Sequence, residues 1–137
     1  MQIKKYTFQQ HGDERGMLVA LEEIKDIPFK IKRVYYMYAT RPGVVRGMHA
    51  HKNLKQILIC VSGECKLTLD DGTERVTVKL DKPYEGIFIA NDMWREMYDF
   101  SEDAILMVLA SELYDEEDYI RNYNDFLKFI ANRGEKK

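Results

Sequence analysis

The middle of this chain alternates. In "KLTLDDGTERVTVKL", residues 66–80, apolar and polar side chains take turns on both sides of Asp71-Gly72. A period of two sends successive side chains to opposite faces of a strand, and Asp-Gly suits the tight turns that join hairpin strands. The same short-strand signature recurs in "MLVALEE" (17–23), "IKRVYYMYAT" (31–40), "QILICV" (56–61), "CKLTLD" (65–70), "GIFIA" (86–90), "WREMYDF" (94–100) and "AILMVLA" (104–110). These runs are rich in β-branched and aromatic residues, and turn residues such as Pro28 and Ser62-Gly63-Glu64 separate them. Many short antiparallel strands at this spacing predict an all-β sandwich or barrel, with strands over about residues 2–110.

The pattern changes after Ser111. Tyr119, Ile120, Tyr123, Phe126, Leu127 and Ile130 recur at helical spacing, in a segment that begins acidic and ends basic. That predicts a C-terminal α-helix over about residues 115–132, its apolar face on the barrel and its charges in solvent. No repeat, low-complexity tract or long linker interrupts the chain. Its 137 residues are read as one domain, 1–137.

Composition narrows the partners. The 21 basic and 23 acidic residues are spread along the chain without a basic block, so nucleic acid is not an expected partner. An anionic ligand would have to be met by a few placed arginines inside a pocket. No apolar run approaches the length of a membrane span, and "MQIKKYTFQQ" carries no apolar leader after its lysines. A cytoplasmic protein with no membrane partner is expected. Cys60 and Cys65 lie in apolar runs and are expected to be reduced, partly buried thiols.

The candidate chemistry sits in "RGMHAHK", residues 46–52, which holds two of the three histidines. Alternate residues of a strand share a face, so His49 and His51 can serve one site. Gly43, five residues, His49-Ala50-His51, four residues, Gln56, six residues and Gly63 resemble the first motif of the cupin superfamily. That motif has a glutamate where this chain has Gln56. The second motif should bring a further histidine after Pro83 and Gly86, but Trp94-Arg95 stand near its place. A catalytic zinc or iron site generally needs three imidazole or carboxylate ligands. Two histidines, an amide and a guanidinium are not such a set, so no metal and no cofactor are expected. Two imidazoles then suit proton transfer, because histidine accepts and returns a proton near its ordinary pKa of about 6.5. One working on carbon and one on oxygen would isomerise a ketone to its neighbouring alcohol through an enediol, with Arg33, Arg46 or Arg95 stabilising the developing charge. In "IKRVYYMY", Arg33 and Tyr35 alternate onto one face and Val34, Tyr36 and Tyr38 onto the other; alternation leaves open which face points inward.

The segments "RGxHxHK", "IPFxIKRVYY", "WREMYDF" and "LAS..YDEEDYIRNY" together resemble the sugar-nucleotide 3,4-ketoisomerases of the cupin superfamily, WxcM-like proteins, from about Gly16 to Phe126. The resemblance implies a cupin, RmlC-like antiparallel β-barrel or jelly roll with a C-terminal α-helix. It implies an isomerase that moves the carbonyl of dTDP-4-keto-6-deoxy-D-glucose from C4 to C3 without a metal, ahead of amination to 3-amino-3,6-dideoxy sugars of surface polysaccharides. It also implies a homodimer with exchanged N-terminal strands. By the same resemblance His51 is the base for the sugar proton, His49 its partner and Tyr35 a hydroxyl beside the sugar. Arg15, Arg33, Arg46, Gln56 and Arg95 are the expected substrate-binding residues. Arg15 resembles members that leave the galacto product and Arg95 those that leave the gluco product, which keeps the C4 configuration open. A nucleotide-sugar 3,5-epimerase, a non-catalytic sugar-nucleotide-binding cupin and a metal-dependent dioxygenase are the alternatives.

Overall fold

A computed structural model describes residues 1–135. The alternating runs become strands, in chain order β1 (Lys4–Thr7), β2 (His11–Asp13), β3 (Gly16–Leu18), β4 (Arg33–Tyr38), β5 (Arg46–His51), β6 (Gln56–Ser62), β7 (Cys65–Asp70), β8 (Arg75–Leu80), β9 (Glu85–Ile89), β10 (Trp94–Tyr98), β11 (Ile105–Ala110) and β12 (Tyr119–Ile120), followed by helix α1 (Tyr123–Glu135). Two antiparallel five-stranded sheets form the body, ordered β1-β9-β6-β11-β4 and β12-β5-β10-β7-β8, with β2-β3 a separate hairpin. This is the expected all-β cupin architecture with a C-terminal helix. No helix among the described residues is long and apolar enough to cross a membrane.

The sheets close on a shared apolar interior in which Leu58, Leu67, Leu69, Ile87, Ile89, Leu106 and Val108 are almost fully buried. Their burial against water is the main stabilising contribution, roughly 1.5–3 kcal/mol for each such side chain. Cys60 and Cys65 belong to this core as free thiols. Two outer layers complete the packing. Residues 19–31 fold over the first sheet, where Ile27 and Phe29 meet Phe8, Ile57, Ile59 and Leu109. On the second sheet, Phe126 of α1 packs with Ala50, Trp94 and Ile120.

Two boundaries differ from the periodicity. The run 17–23 is a strand only at Gly16–Leu18, because Val19 and Leu21 leave the hairpin to join the layer over the first sheet. The helix starts at Tyr123 rather than near residue 115. Glu116–Asp118 make a 3₁₀ turn capped by the Asp115 side chain, and Tyr119–Ile120 extend as β12 beside β5. The cause is Asp118. Its carboxylate accepts from the Asn53 N–H at 2.7 Å and from the His51 ring at 2.9 Å, and its carbonyl accepts from the Lys52 N–H at 3.0 Å. These bonds fasten the segment to the end of β5, where an extended pair can add to the sheet edge. Ile120 then turns under the helix, and Tyr119 turns to the histidines.

Candidate active site

The polar residues of the interior come from both sheets. His49 and His51 lie on β5, and Arg95 on β10 pairs directly with His49. Tyr35 on β4 and Gln56 on β6 face them from the other sheet, both neighbours of β11. Along β10, Trp94 points out under the helix while Arg95 points in, so the alternation of "WR" carries the guanidinium into the barrel. On β4 the inward face is Arg33, Tyr35 and Met37, and Val34, Tyr36 and Tyr38 are exposed.

A bulge sets the first imidazole. The β5–β10 register shifts so that Arg95 faces His49 and the next residue, Glu96, faces Gly47, which leaves Met48 unpaired. Gly47 has φ +86° and Met48 φ +55°. A Cβ on Gly47 would stand 3.0 Å from the Arg95 carbonyl oxygen, so the approach as well as the φ requires glycine. The bulge turns the Gly47 carbonyl to accept from His49 Nδ1 at 2.9 Å. His51 Nδ1 donates to Asp118 Oδ2, also at 2.9 Å. Each acceptor fixes the ring proton on Nδ1 and leaves Nε2 as the basic nitrogen. His51 Nε2 is buried without a hydrogen-bond partner. The rings meet edge to face with centroids 4.8 Å apart, and Tyr119 packs on both.

Both rings are held neutral. Burial, then the positive charge of Arg95, lowers His49 to about 4. The same two causes, with His49 third, push His51 well below the usual imidazole range. Arg95 is itself only 1 % exposed, and no carboxylate lies within ion-pair distance of it among the described residues. Burial lowers it to about 10, which still leaves it a cation at neutral pH. It donates to the Met93 carbonyl from Nε and Nη2, and from Nη1 to Gln56 Oε1. Gln56 Nε2 donates to the Tyr35 hydroxyl at 2.9 Å.

A cleft of about 340 Å³ opens above these groups, lined by Tyr35, Gly47, His49, Met97 and Tyr119 and by three arginines, Arg33, Arg46 and Arg121, with no carboxylate in its wall. Arg33 has a buried Nε without a partner and lies over the Tyr35 ring at 5.2 Å. Arg121 sits over Tyr119 at 4.2 Å and is braced by two 2.8 Å bonds to Glu116. Such a wall suits an anion of high charge, because guanidinium forks match phosphate oxygens. A larger hollow of about 410 Å³ lies on the far side of Asp118, but it holds no imidazole and mixes Lys32 with Glu112 and Asp115.

Of the residues singled out from sequence, the fold brings His49, Tyr35, Arg33 and Arg46 to the cleft and places His51, Gln56 and Arg95 in the buried layer beneath it. Arg15 stands apart. Its side chain is 87 % exposed on the β2–β3 hairpin and pairs with its neighbour Asp13. Asp118, Tyr119 and Arg121 were hidden by the helical periodicity assigned to that segment; the polar dense "DYIR" following an acidic run is the signal they carry.

The donor set does not fit a metal. Among the described residues no three of His, Cys, Asp and Glu gather as ligands. The two Nδ1 atoms are bonded to Gly47 and Asp118, and the buried Arg95 charge would oppose a divalent ion.

Comparison with known proteins agrees with this architecture. The family model described as FdtA, WxcM-like, C-terminal, matches residues 1–131. The chain is 50% identical over 131 residues to the TDP-4-oxo-6-deoxy-alpha-D-glucose-3,4-oxoisomerase of Aneurinibacillus thermoaerophilus, covering 96% of this chain and 94% of that protein. A 3,4-ketoisomerase from Helicobacter canadensis superposes with a TM-score of 0.92 at 48% identity, over 96% of this chain and 98% of the other. A histidine-to-asparagine variant of the 3,4-ketoisomerase QdtA from Thermoanaerobacterium thermosaccharolyticum, in complex with TDP-4-keto-6-deoxyglucose, superposes with a TM-score of 0.93 at 42% identity, over 96% and 95% of the two chains. With a family model spanning nearly its whole length and half its residues shared with a 3,4-oxoisomerase, this chain belongs to the WxcM-like family of cupin-fold proteins.

Proposed function

We propose that the protein is a sugar-nucleotide 3,4-ketoisomerase that converts dTDP-4-keto-6-deoxy-D-glucose to a dTDP-3-keto-6-deoxyhexose, for amination to a 3-amino-3,6-dideoxy sugar. The observation that carries this reading is the pair of imidazoles with both Nδ1 atoms anchored, beside a tyrosine hydroxyl, under an arginine-lined cleft. Arg33, Arg46 and Arg121 take the diphosphate, and Tyr35, His49 and His51 handle protons at the sugar.

The resemblance gives the carbon proton to His51. Geometry favours the other order. His49 forms the cleft wall and His51 is 1 % exposed behind it. His49 Nε2 therefore takes the proton from C3 and returns it at C4. His51, fixed by Asp118 and packed on the His49 ring, is its partner and the second basic nitrogen of the site. An imidazole already neutral at pH 7 needs no prior deprotonation to act as a base. Arg95 and the cleft arginines stabilise the enediolate as charge develops.

The active unit is proposed to be a cytoplasmic homodimer with exchanged N-terminal strands. Support comes from the hairpin β2–β3, whose residues are exposed throughout, including Met17 at 60 % and Leu18 at 59 %, and from the exposed Val34, Tyr36 and Tyr38 on edge strand β4. Exchange would carry Arg15 to the partner's cleft, which accounts for its distance from the site in a single chain.

The test is turnover of dTDP-4-keto-6-deoxyglucose in D₂O followed by NMR. Appearance of a 3-keto sugar with deuterium at the exchanged carbon is expected. Exchange at C3 and C5 with the carbonyl still at C4 would mean a 3,5-epimerase, and TDP binding without turnover would mean a binding module.

A further inference from the structure

The cleft has two kinds of wall. Most of its lining is cationic or aromatic, but Met37 and Met97 are neither. They come from opposite sheets. Met37 follows Tyr35 by two residues on β4, and Met97 follows Arg95 by two on β10, so each lies on the inward face of its strand. Behind them is the apolar interior: Met37 pairs with Leu106 and Met97 with Leu67, and both methionines pack in the cluster those leucines form. Met97 is only 5 % exposed, although it lines the cleft.

This apolar corner borders the reacting end of the site. A Cβ on Gly47 would stand 3.3 Å from both Sδ and Cε of Met97, which puts the thioether against the bulge. The same Gly47 holds His49 Nδ1 through its carbonyl, and Arg95 pairs with His49. The methionines supply no hydrogen-bond donor, and a thioether sulfur is a weak acceptor. The neighbouring cations do not fill the gap. Arg46, opposite Met97 in the register, is exposed at the rim where Met97 is buried. Arg95 turns its guanidinium the other way along β10, to the Met93 carbonyl and Gln56.

A 4-keto-6-deoxyhexose carries one apolar substituent, the C6 methyl. It is bonded to C5, the neighbour of C4, so a sugar with C3 and C4 at His49 brings that methyl close to the same imidazole. The thymine methyl is kept far from C4 by the deoxyribose and the diphosphate. We propose that Met37 and Met97 form the subsite for the C6 methyl and make the protein select 6-deoxy sugars over their 6-hydroxy counterparts. This rests on the ketoisomerase reading and names the residues that read C6. A hydroxyl at C6 would lose its water in this corner and find no partner to replace it. An apolar pocket rejects one added hydroxyl by roughly 10²-fold, which sets the upper end of the expected selectivity.

The experiment measures the binding of dTDP-6-deoxyglucose, dTDP-glucose and dTDP by titration calorimetry; none of the three carries a ketone to turn over. The wild type is expected to bind the 6-deoxy sugar roughly 10–100-fold more tightly than dTDP-glucose. Met97→Gln keeps the length of the side chain and supplies an amide, and should narrow that ratio to about threefold with dTDP bound as before. Met97→Leu, still apolar, should keep the ratio. A wild-type ratio under about threefold, or a ratio lost equally in the Gln and Leu variants, overturns the subsite. A loss of dTDP affinity in Met97→Gln as large as the loss of sugar affinity overturns it too, because the change would then belong to the cleft as a whole. Should Met97→Gln fail to fold, Met37→Gln is judged by the same criteria. Turnover of dTDP-4-keto-6-deoxyglucose by the wild type tests the underlying reading separately. A wild type without turnover sinks that reading, whereas an active wild type with equal affinity for the two sugars sinks only the subsite.

Discussion

Replacing Asp118 by Asn separates what this residue does for the fold from what it does for the site. Its carboxylate accepts from two donors, His51 Nδ1–H at 2.9 Å and the Asn53 N–H at 2.7 Å. An asparagine keeps one oxygen, which can hold the Asn53 amide and the loop with it. Its NH₂ then faces His51, where two donors cannot pair. The ring answers by moving its proton to Nε2 and accepting at Nδ1. One charge-assisted bond, worth about 1.5–3 kcal/mol, becomes a neutral one worth about 0.5–1.5 kcal/mol, so folding should weaken by only about 1 kcal/mol. For a chain of this length that lowers the melting temperature by about 3–5 °C. The chemical effect should be much larger, because the basic nitrogen of His51 is now capped by a proton. We expect kcat to fall by roughly 10²–10³-fold, below the roughly 10⁴-fold seen where a carboxylate orients the base itself, since His51 stands behind His49. Calorimetric melting and the NMR assay measure the two quantities on the same sample. A melting shift of the expected size with kcat within about threefold of the wild type would refute the argument, and would leave Asp118 as a structural tie only.

Four further outcomes are expected. Because His49 is held at about 4, kcat/KM should stay flat from neutral pH down and fall only as pH approaches about 4; an acid limb near 6.5 would contradict the burial argument. The same shift destabilises the fold in acid: between about pH 6.5 and 4 the unfolded chain binds a proton that the folded chain does not. Stability is full above about 6.5 and should drop by about 2–3 kcal/mol towards pH 4, with His49→Asn flattening part of the slope in urea melts. Tyr123→Phe removes the 2.8 Å bond that the helix makes to buried Asp70, and should cost about 1–2 kcal/mol without changing kcat, since the Gly72 amide and Arg75 still satisfy the carboxylate. Met17→Glu with Leu18→Glu should give a monomer by light scattering and lose activity; a stable dimer of these variants would place the interface elsewhere.

Much of this architecture was legible in the residues, for a reason that differs from strand to strand. The run 66–80 announces a hairpin because its alternation and its Asp-Gly turn agree. Residues 86–89 and 105–110 announce buried strands because nearly every position is apolar. The C-terminal segment misled because Tyr119 and Ile120 fall on the apolar stripe of the later helix. Local spacing favours helix there, and three hydrogen bonds from Asp118 to β5 and the loop after it override that preference. With that boundary misplaced, Asp118 and Arg121 read as a solvated helical face and Tyr119 as part of its apolar stripe, and three members of the site were lost with it.

The sequence by itself determined that His49 and His51 share a face, that a third metal ligand is missing where the second motif should supply one, and that Arg95 stands in its place. Those are statements about spacing and residue type, and spacing survives folding. The tertiary structure decided which face of β4 turns inward, which ring nitrogen of each histidine is free, and which end of Gln56 meets Tyr35. These depend on partners brought together from distant strands: Asp118 is 67 residues from His51, and Arg95 is 39 from Gln56. A proton's position is set by the acceptor it meets, and only the closed barrel makes those meetings.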